Sequence, residues 1–276
     1  MPDGPRKAPA RLWIPAPVAA SRRRGIRSRA RKAMQPRDIE DMYATEATHW
    51  WFSGKRLLMR RLLGERLRRP GLRILDVGCG AGATAVDFSA DGRVCACDRS
   101  LHALRFVGER GIATRVAADA AGLPFRDGAF DVVLALDVLE HVTDDAGFLR
   151  ELGRVLAPGG ALAIHVPAWP SLWSRHDEVL EHKRRYTRRT LKALLRDSPL
   201  QIAYLGWASC AIFPVTVAIR LARRLTNAES EGADLGVVPA WLNRLLTGVY
   251  RVESSLAVYT GLPFGVSLAV IAICPE

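Results

Sequence analysis

The sequence predicts an α/β protein with a doubly wound, mostly parallel sheet of seven strands and a helical insertion between strands six and seven. Three observations predict it. Apolar runs centred on Ile74, Val94, Val116, Val133 and Ile164 alternate with segments of helical periodicity, the rhythm of linked βαβ units. The first run, Arg73-Ile74-Leu75-Asp76-Val77, leads into Gly78-Cys79-Gly80-Ala81-Gly82. Such a turn lets the backbone reverse sharply and approach a ligand that a Cβ would push away. Two further strand-like runs, at 202–207 and 265–274, follow the alternating region and supply strands six and seven.

The elements follow in order. A helical segment is expected over about 38–67, from its apolar periodicity. Leu101, Leu104 and Val107 repeat at helical spacing, as do Phe148, Leu152, Val155 and Leu156. Thr143 or Asp144 is the expected N-cap of the second of these helices, and Pro158-Gly159-Gly160 its stop. Residues 167–198 are polar, aromatic and charged, and read as a substrate-side insertion. A helix over 211–225 carries Pro214 in its first turn, residues 227–236 form an acidic loop of small residues, and another helix covers 240–256.

Composition limits the possibilities. The chain has 276 residues and a net charge of +12. Residues 1–33 hold ten Lys or Arg and one acid, and the rest of the chain is only +3. The basicity therefore belongs to a proline-rich tail that reads as disordered. A tail of this kind is either a patch for nucleic acid or anionic lipid, or merely solvated; an upstream start, with Met34 the true one, is the third reading. It lacks the uninterrupted apolar stretch of a signal peptide. Cys79, Cys95, Cys97, Cys210 and Cys274 make no disulfide or zinc framework, and a reducing cytoplasm fits them best. Residues 202–219 carry no charge, the lower edge of a membrane span, but Gly206 and Pro214 interrupt them. A strand plus a helix lying on a membrane surface fits as well, with Arg220, Arg223 and Arg224 placed to meet lipid phosphates.

The glycine turn is one of six signals in order. Asp76 precedes it by two residues, and Val94-Cys95-Ala96-Cys97-Asp98 ends in an acid. Ala117-Ala118-Asp119-Ala120 follows, then Leu123-Pro124-Phe125 through Val133, then Asp137-Val138-Leu139-Glu140-His141-Val142, then Arg154 through Gly160. Together these resemble the class I S-adenosylmethionine (SAM) methyltransferases, the quinone-biosynthesis type in particular. The resemblance implies a Rossmann-like sheet whose seventh strand inserts antiparallel beside the sixth. It also implies SAM as cofactor and methyl transfer by in-line displacement to a small-molecule or lipid-linked acceptor. Residues 34–276 would form this domain, with its core at 70–168, a substrate side at 169–260 and a final strand at 265–274.

Each expected contact has a physical role. Gly78, Gly80 and Gly82 let the backbone pack against the cofactor. By the resemblance, Asp98 accepts from both ribose hydroxyls, a charge-assisted pair, and Asp119 from the adenine amino group. Asp76 orients the loop or meets the cofactor's ammonium through water. Asp137, at the end of strand four, lies where ligands bind in open α/β sheets. His141 is the candidate general base, with Glu140 beside it, because an imidazole titrates near neutrality. The alternative is that Glu140 and His141 only cap neighbours. No metal is expected, although Asp137, Glu140 and His141 with His165 or His182 leave such a set open. His49-Trp50-Trp51-Phe52 ahead of the core resembles a bacterial subgroup, with Arg56 suited to the methionine carboxylate, or with the aromatics simply packing the first helix. Asp177 and His182 are candidates for acid, base or anchor, and Arg184 and Arg185 suit an anionic substrate group.

Other function classes fit less well. An RNA methyltransferase would want a basic face on the folded part, which is nearly neutral. A non-catalytic SAM-binding role needs the same glycines and acids. A nicotinamide dehydrogenase would carry G-x-G-x-x-G, whereas Gly82 arrives one residue early and position 83 is Ala. The expected location is cytoplasmic, with contact at the inner face of an anionic membrane.

Overall fold

A computed structural model describes residues 36–226 and 238–276; the expected basic tail and the acidic 227–236 loop lie outside the described residues. The sheet has seven strands in the order β3-β2-β1-β4-β5-β7-β6. These are β1 (Leu72–Val77), β2 (Gly92–Asp98), β3 (Thr114–Ala117), β4 (Phe130–Leu136), β5 (Leu156–Pro167), β6 (Gln201–Ala208) and β7 (Ser267–Ile273). β1 pairs in parallel with β2 and β4, while β7 runs antiparallel to both β5 and β6. The direction of winding reverses between β1 and β4. That is the switch point where ligands bind in sheets of this kind.

Helices cover both faces, so the central strands are apolar on both sides, as parallel strands must be. One core packs Leu75, Val133, Ile164 and Val270 under α5 (Asp145–Val155) and α7 (Arg188–Arg196). The other packs Ile74, Val132, Leu134 and Ile271 under α2 (Trp50–Leu63), α3 (Ala83–Phe88) and α4 (Leu101–Glu109). The Asp144 side chain caps α5 by accepting from the Gly147 N–H at 2.8 Å, as one of the two expected caps. The helical excursion between β6 and β7 consists of α8 (Phe213–Thr226) and α9 (Ala240–Tyr259).

The helical segment expected over about 38–67 consists of α1 (Pro36–Thr45), α2 and a 3-10 turn at Gly64–Arg68. Polar residues between α1 and α2 cap helix starts. His49 Nδ1 accepts from the Trp51 N–H at 3.3 Å, and Glu46 Oε1 accepts from the Ala83 N–H at the start of α3 at 2.8 Å. One expectation changes further along the chain, at 158–160. Pro158-Gly159-Gly160 does not stop α5, which ends at Val155 and passes straight into β5. The three residues instead lie at a bulge between the Phe130–Leu156 and Val132–Ala161 pairs.

α2 and α9 pack closely because Gly54 has no side chain. A Cβ there would fall 2.4 Å from the Tyr250 ring.

Candidate functional site

The glycine turn sits at the carboxyl end of β1. Gly78, Gly80 and Gly82 have φ of 65°, 53° and 93°, values that favour glycine. A Cβ on Gly78 would lie 2.5 Å from Val138, in the segment after β4. The N–H groups of Gly78 and Cys79 both donate to the Cys97 carbonyl, at 2.8 and 3.1 Å. Asp98, at the end of β2, braces the loop from the side: Oδ2 accepts from the Gly80 N–H at 3.0 Å and Oδ1 from the Ser100 N–H at 2.8 Å. Burial raises the Asp98 pKa against these hydrogen bonds. Asp76 is buried beneath the turn, and its Oδ2 has no partner. Burial, then the charge of Glu46, pushes its pKa up to about 8. Asp119 is exposed at the turn after β3, with Oδ1 accepting from the Ala121 N–H at 2.9 Å.

A second polar group lies beyond the ends of β4 and β5. Asp137 adopts a left-handed φ of 58° and is held on both oxygens. Lys55 Nζ from α2 approaches Oδ2 at 2.5 Å, and His165 Nδ1 from β5 approaches Oδ1 at 2.5 Å. Burial would raise the Asp137 pKa, but the charges of Lys55 and His165 outweigh it and hold the carboxyl well below its usual range. His165 Nε2 is buried without a partner, and the Trp51 ring stands edge-on to the imidazole. Glu140 is wholly buried, and neither carboxylate oxygen has a hydrogen-bond partner. Burial, then the Asp137 charge, pushes its pKa up. His141 and His182 meet edge to face, 4.7 Å between centroids. Burial, then the neighbouring His182, lowers the His141 pKa to about 4.

Residues 75–164 match the family model described as a methyltransferase domain. Over 215 residues the chain is 33% identical to an uncharacterized 37.1 kDa protein in transposon TN4556 of Streptomyces fradiae, covering 69% of this chain and 62% of that one. The chain therefore spans less than two thirds of that relative. Geranyl diphosphate C-methyltransferase of Streptomyces coelicolor A3(2), solved with S-adenosyl-L-homocysteine, shares the fold: TM-score 0.55 at 18% identity, over 80% of this chain and 76% of that one. Over 164 residues the chain is 34% identical to demethylmenaquinone methyltransferase of Corynebacterium urealyticum, covering 55% of this chain and 71% of the relative. This chain belongs to the class I SAM-dependent methyltransferases.

The residues present fit SAM, the cofactor of this methyltransferase family. The glycine turn holds three left-handed glycines at the end of β1, Asp98 stands beside it at the end of β2, and Asp76 offers an unpartnered oxygen below the loop. Met42 of α1 lies over Gly80, with Sδ 3.1 Å from where a Cβ would be. Glu140, His141 and His182 each offer a ligand atom within 4.8 Å of the others, a set that can hold a metal ion. Asp137 and His165 are not members of that set; they pair with each other at 2.5 Å.

Several expected site residues are engaged within the protein. Arg56, expected to suit the methionine carboxylate, makes its contacts within the protein. It is buried, pairs with Asp87, and donates to the carbonyls of Glu46 at 2.8 Å and Ala47 at 3.0 Å. It thereby ties the α1–α2 turn to α3. Asp177 is not a free acid or base but a buried hub. It accepts from the Ser174 N–H at 2.9 Å at the start of α6 (Arg175–Val179), pairs with His182 Nδ1 at 2.9 Å and Arg185 Nε at 2.7 Å, and has Arg220 at 3.4 Å. These bonds outweigh its burial and hold its pKa below the usual range. His182 is thereby oriented, with Nε2 4.0 Å from Glu140 Oε1. Arg184, expected with Arg185 to suit an anionic substrate group, pairs with Asp145 at 2.6 Å, and Arg185 with Asp177. Arg220, expected against lipid, is buried and also donates to the Leu172 carbonyl and Ser174 Oγ.

Sequence reasoning assigned no role to Lys55 and only a metal alternative to His165. A histidine inside the otherwise apolar run Ala161-Leu162-Ala163-Ile164-His165-Val166 was the available signal.

Proposed function

We propose that this chain transfers the methyl group of SAM to a small-molecule or lipid-linked acceptor by in-line displacement. One observation carries the reading. Beside the glycine turn, at the carboxyl ends of β4 and β5, both oxygens of Glu140 and Nε2 of His165 are buried without a hydrogen-bond partner among the described residues. Such orphaned atoms are rare in folded proteins and mark a place for a ligand's polar groups. The acceptors named for the relatives, demethylmenaquinone and geranyl diphosphate, are small molecules and support the same reading.

Bound SAM supplies a methyl group on a sulfonium, whose leaving group is already good. The protein's part is therefore mainly positioning. Gly78, Gly80 and Gly82 admit the cofactor to the end of β1. Asp98 receives the ribose hydroxyls and the free oxygen of Asp119 the adenine amino group, while Asp76 orients the loop or meets the cationic amino group through water. Asp137 holds Lys55 and His165 in place at the acceptor side. His141, neutral at pH 7, takes the acceptor's proton, with Glu140 and the oriented His182 around it. Asp177 acts here as a positioning residue through His182.

The acceptor reading includes peripheral contact with an anionic membrane. Apolar exposure on the helices after β6 supports it. Methyl-labelled SAM incubated with the protein and a bacterial lipid extract tests the acceptor class. Label in the organic phase that disappears in Asp98→Ala supports a lipid-linked acceptor. Label confined to water-soluble products would restrict the acceptor to small polar molecules.

A further inference from the structure

α9 has two apolar faces, and only one is used inside the protein. Tyr250, Ser254 and Ala257 are buried, with Tyr250 seated on Gly54 of α2. The opposite face carries Trp241, Leu245, Val249, Val252, Leu256 and Tyr259, spaced by steps of three and four. All six are exposed, Trp241 to 67%, Val252 to 63% and Tyr259 to 85%. Single exposed apolar residues are ordinary, but a continuous stripe along a helix of about 30 Å is not. Val215, Ile219 and Leu225 of α8 are exposed as well.

Charge selects the occupant. The two helices contain five arginines, of which Arg220 is buried against Asp177, and one acid. That acid, Glu253, is buried and accepts from the Ala211 N–H at 2.9 Å. Arg244 and Arg251 are exposed beside the stripe. Two copies joined by this stripe would bring like charges together with no exposed acid on either helix to meet them. An anionic surface meets them directly.

We propose that α9 lies in the headgroup layer of an anionic phospholipid bilayer, its stripe inserted and Trp241 and Tyr259 anchoring its two ends. Aromatic residues with a polar edge favour that layer, and arginines beside a buried apolar face reach lipid phosphates. The helix lies along the membrane: no helix among the described residues is long and apolar enough to cross one. Docking here also bears on the site. Asn243 of α9 accepts from the Trp50 N–H at 2.8 Å and donates to the Thr48 carbonyl at 3.0 Å. That fastens α9 to the α1–α2 turn whose Glu46 caps α3. The proposal deepens the lipid-linked reading of the acceptor and rests on that reading for its purpose, though not for its evidence.

Co-sedimentation of the full chain with phosphatidylglycerol vesicles and with phosphatidylcholine vesicles tests it. The double variant Leu245→Ser, Val252→Ser and the double variant Arg244→Gln, Arg251→Gln are run beside the wild type. Circular dichroism of each preparation reports folding, and SAM titration reports cofactor binding separately. The expected result is binding to phosphatidylglycerol vesicles that the serine variant weakens by about tenfold or more, as loss of buried apolar area requires. The glutamine variant should lose the preference for phosphatidylglycerol. Absence of vesicle binding, or binding unchanged in the serine variant and so due to another segment, would overturn the proposal. So would a lipid-free dimer that the serine variant dissociates, which would assign the stripe to a second copy. Stripe-dependent vesicle binding without SAM binding would leave the docking intact and defeat the methyl-transfer reading instead.

Discussion

Asp76 keeps one carboxyl oxygen buried and unpartnered, and its pKa is pushed up to about 8, by burial first and then by Glu46. The folded protein thus holds this proton where the unfolded chain has released it. The resulting stability is complete below the ordinary carboxyl value of 3.8 and is lost as pH rises through about 8. Asp76→Asn keeps the neutral shape and removes this dependence. Between about pH 6 and about pH 9, the melting temperature of the wild type should fall more than that of the variant. Parallel curves would assign the pH dependence to other groups. His141 gives a second expectation at this scale. Its pKa is lowered to about 4, by burial first and then by His182, so it is neutral throughout the physiological range. If it accepts the proton, the acid limb of kcat/KM lies at about 4, and His141→Asn removes that limb. A limb near the ordinary imidazole value would point to a different base. The acids at the β-strand ends were legible in the sequence because strand, turn and acid follow one another locally. The hub role of Asp177 was not, because its partners Arg185 and Arg220 lie 8 and 43 residues further along and meet it only in the folded chain.

The elements show the same division. The strands were legible from their short, mainly apolar runs, and α4, α5, α8 and α9 from their periodicity. The split between α1 and α2 was not, since it depends on Glu46 reaching the N–H of Ala83, 37 residues away. Gly54 offered a local signal, a glycine inside a helix, but its meaning lies in Tyr250 across the α2–α9 interface. Gly54→Ala should destabilise the fold by about 1–3 kcal/mol, the range for overpacking, despite the better helix propensity of alanine. Chemical denaturation measures this; an unchanged or raised stability would mean that the interface gives way easily. Asp177→Ala should cost about 3–5 kcal/mol, because it strands Arg185 and its neighbours without their buried counter-charge. A loss under 1 kcal/mol, about the worth of an exposed pair, would show the hub to be solvated.

At the scale of the whole molecule, the winding reversal between β1 and β4 brings two groups of residues to one edge of the sheet. The glycine turn with Asp76 and Asp98 lies at the ends of β1 and β2. The Lys55–Asp137–His165 cluster, with Glu140 and His141, lies beyond β4 and β5. α2 joins the two, because Lys55 reaches the second group while Arg56, its neighbour, fastens the α1–α2 turn to the helix that follows the glycines. The central claim is that the first group holds SAM, and calorimetric titration of SAM and then S-adenosylhomocysteine into the full chain and its Asp98→Ala variant tests it most directly. The account predicts binding in the micromolar range that weakens by at least about tenfold in the variant, the scale of one lost charge-assisted contact. No binding by folded wild-type protein, or equal binding by the variant, would contradict it.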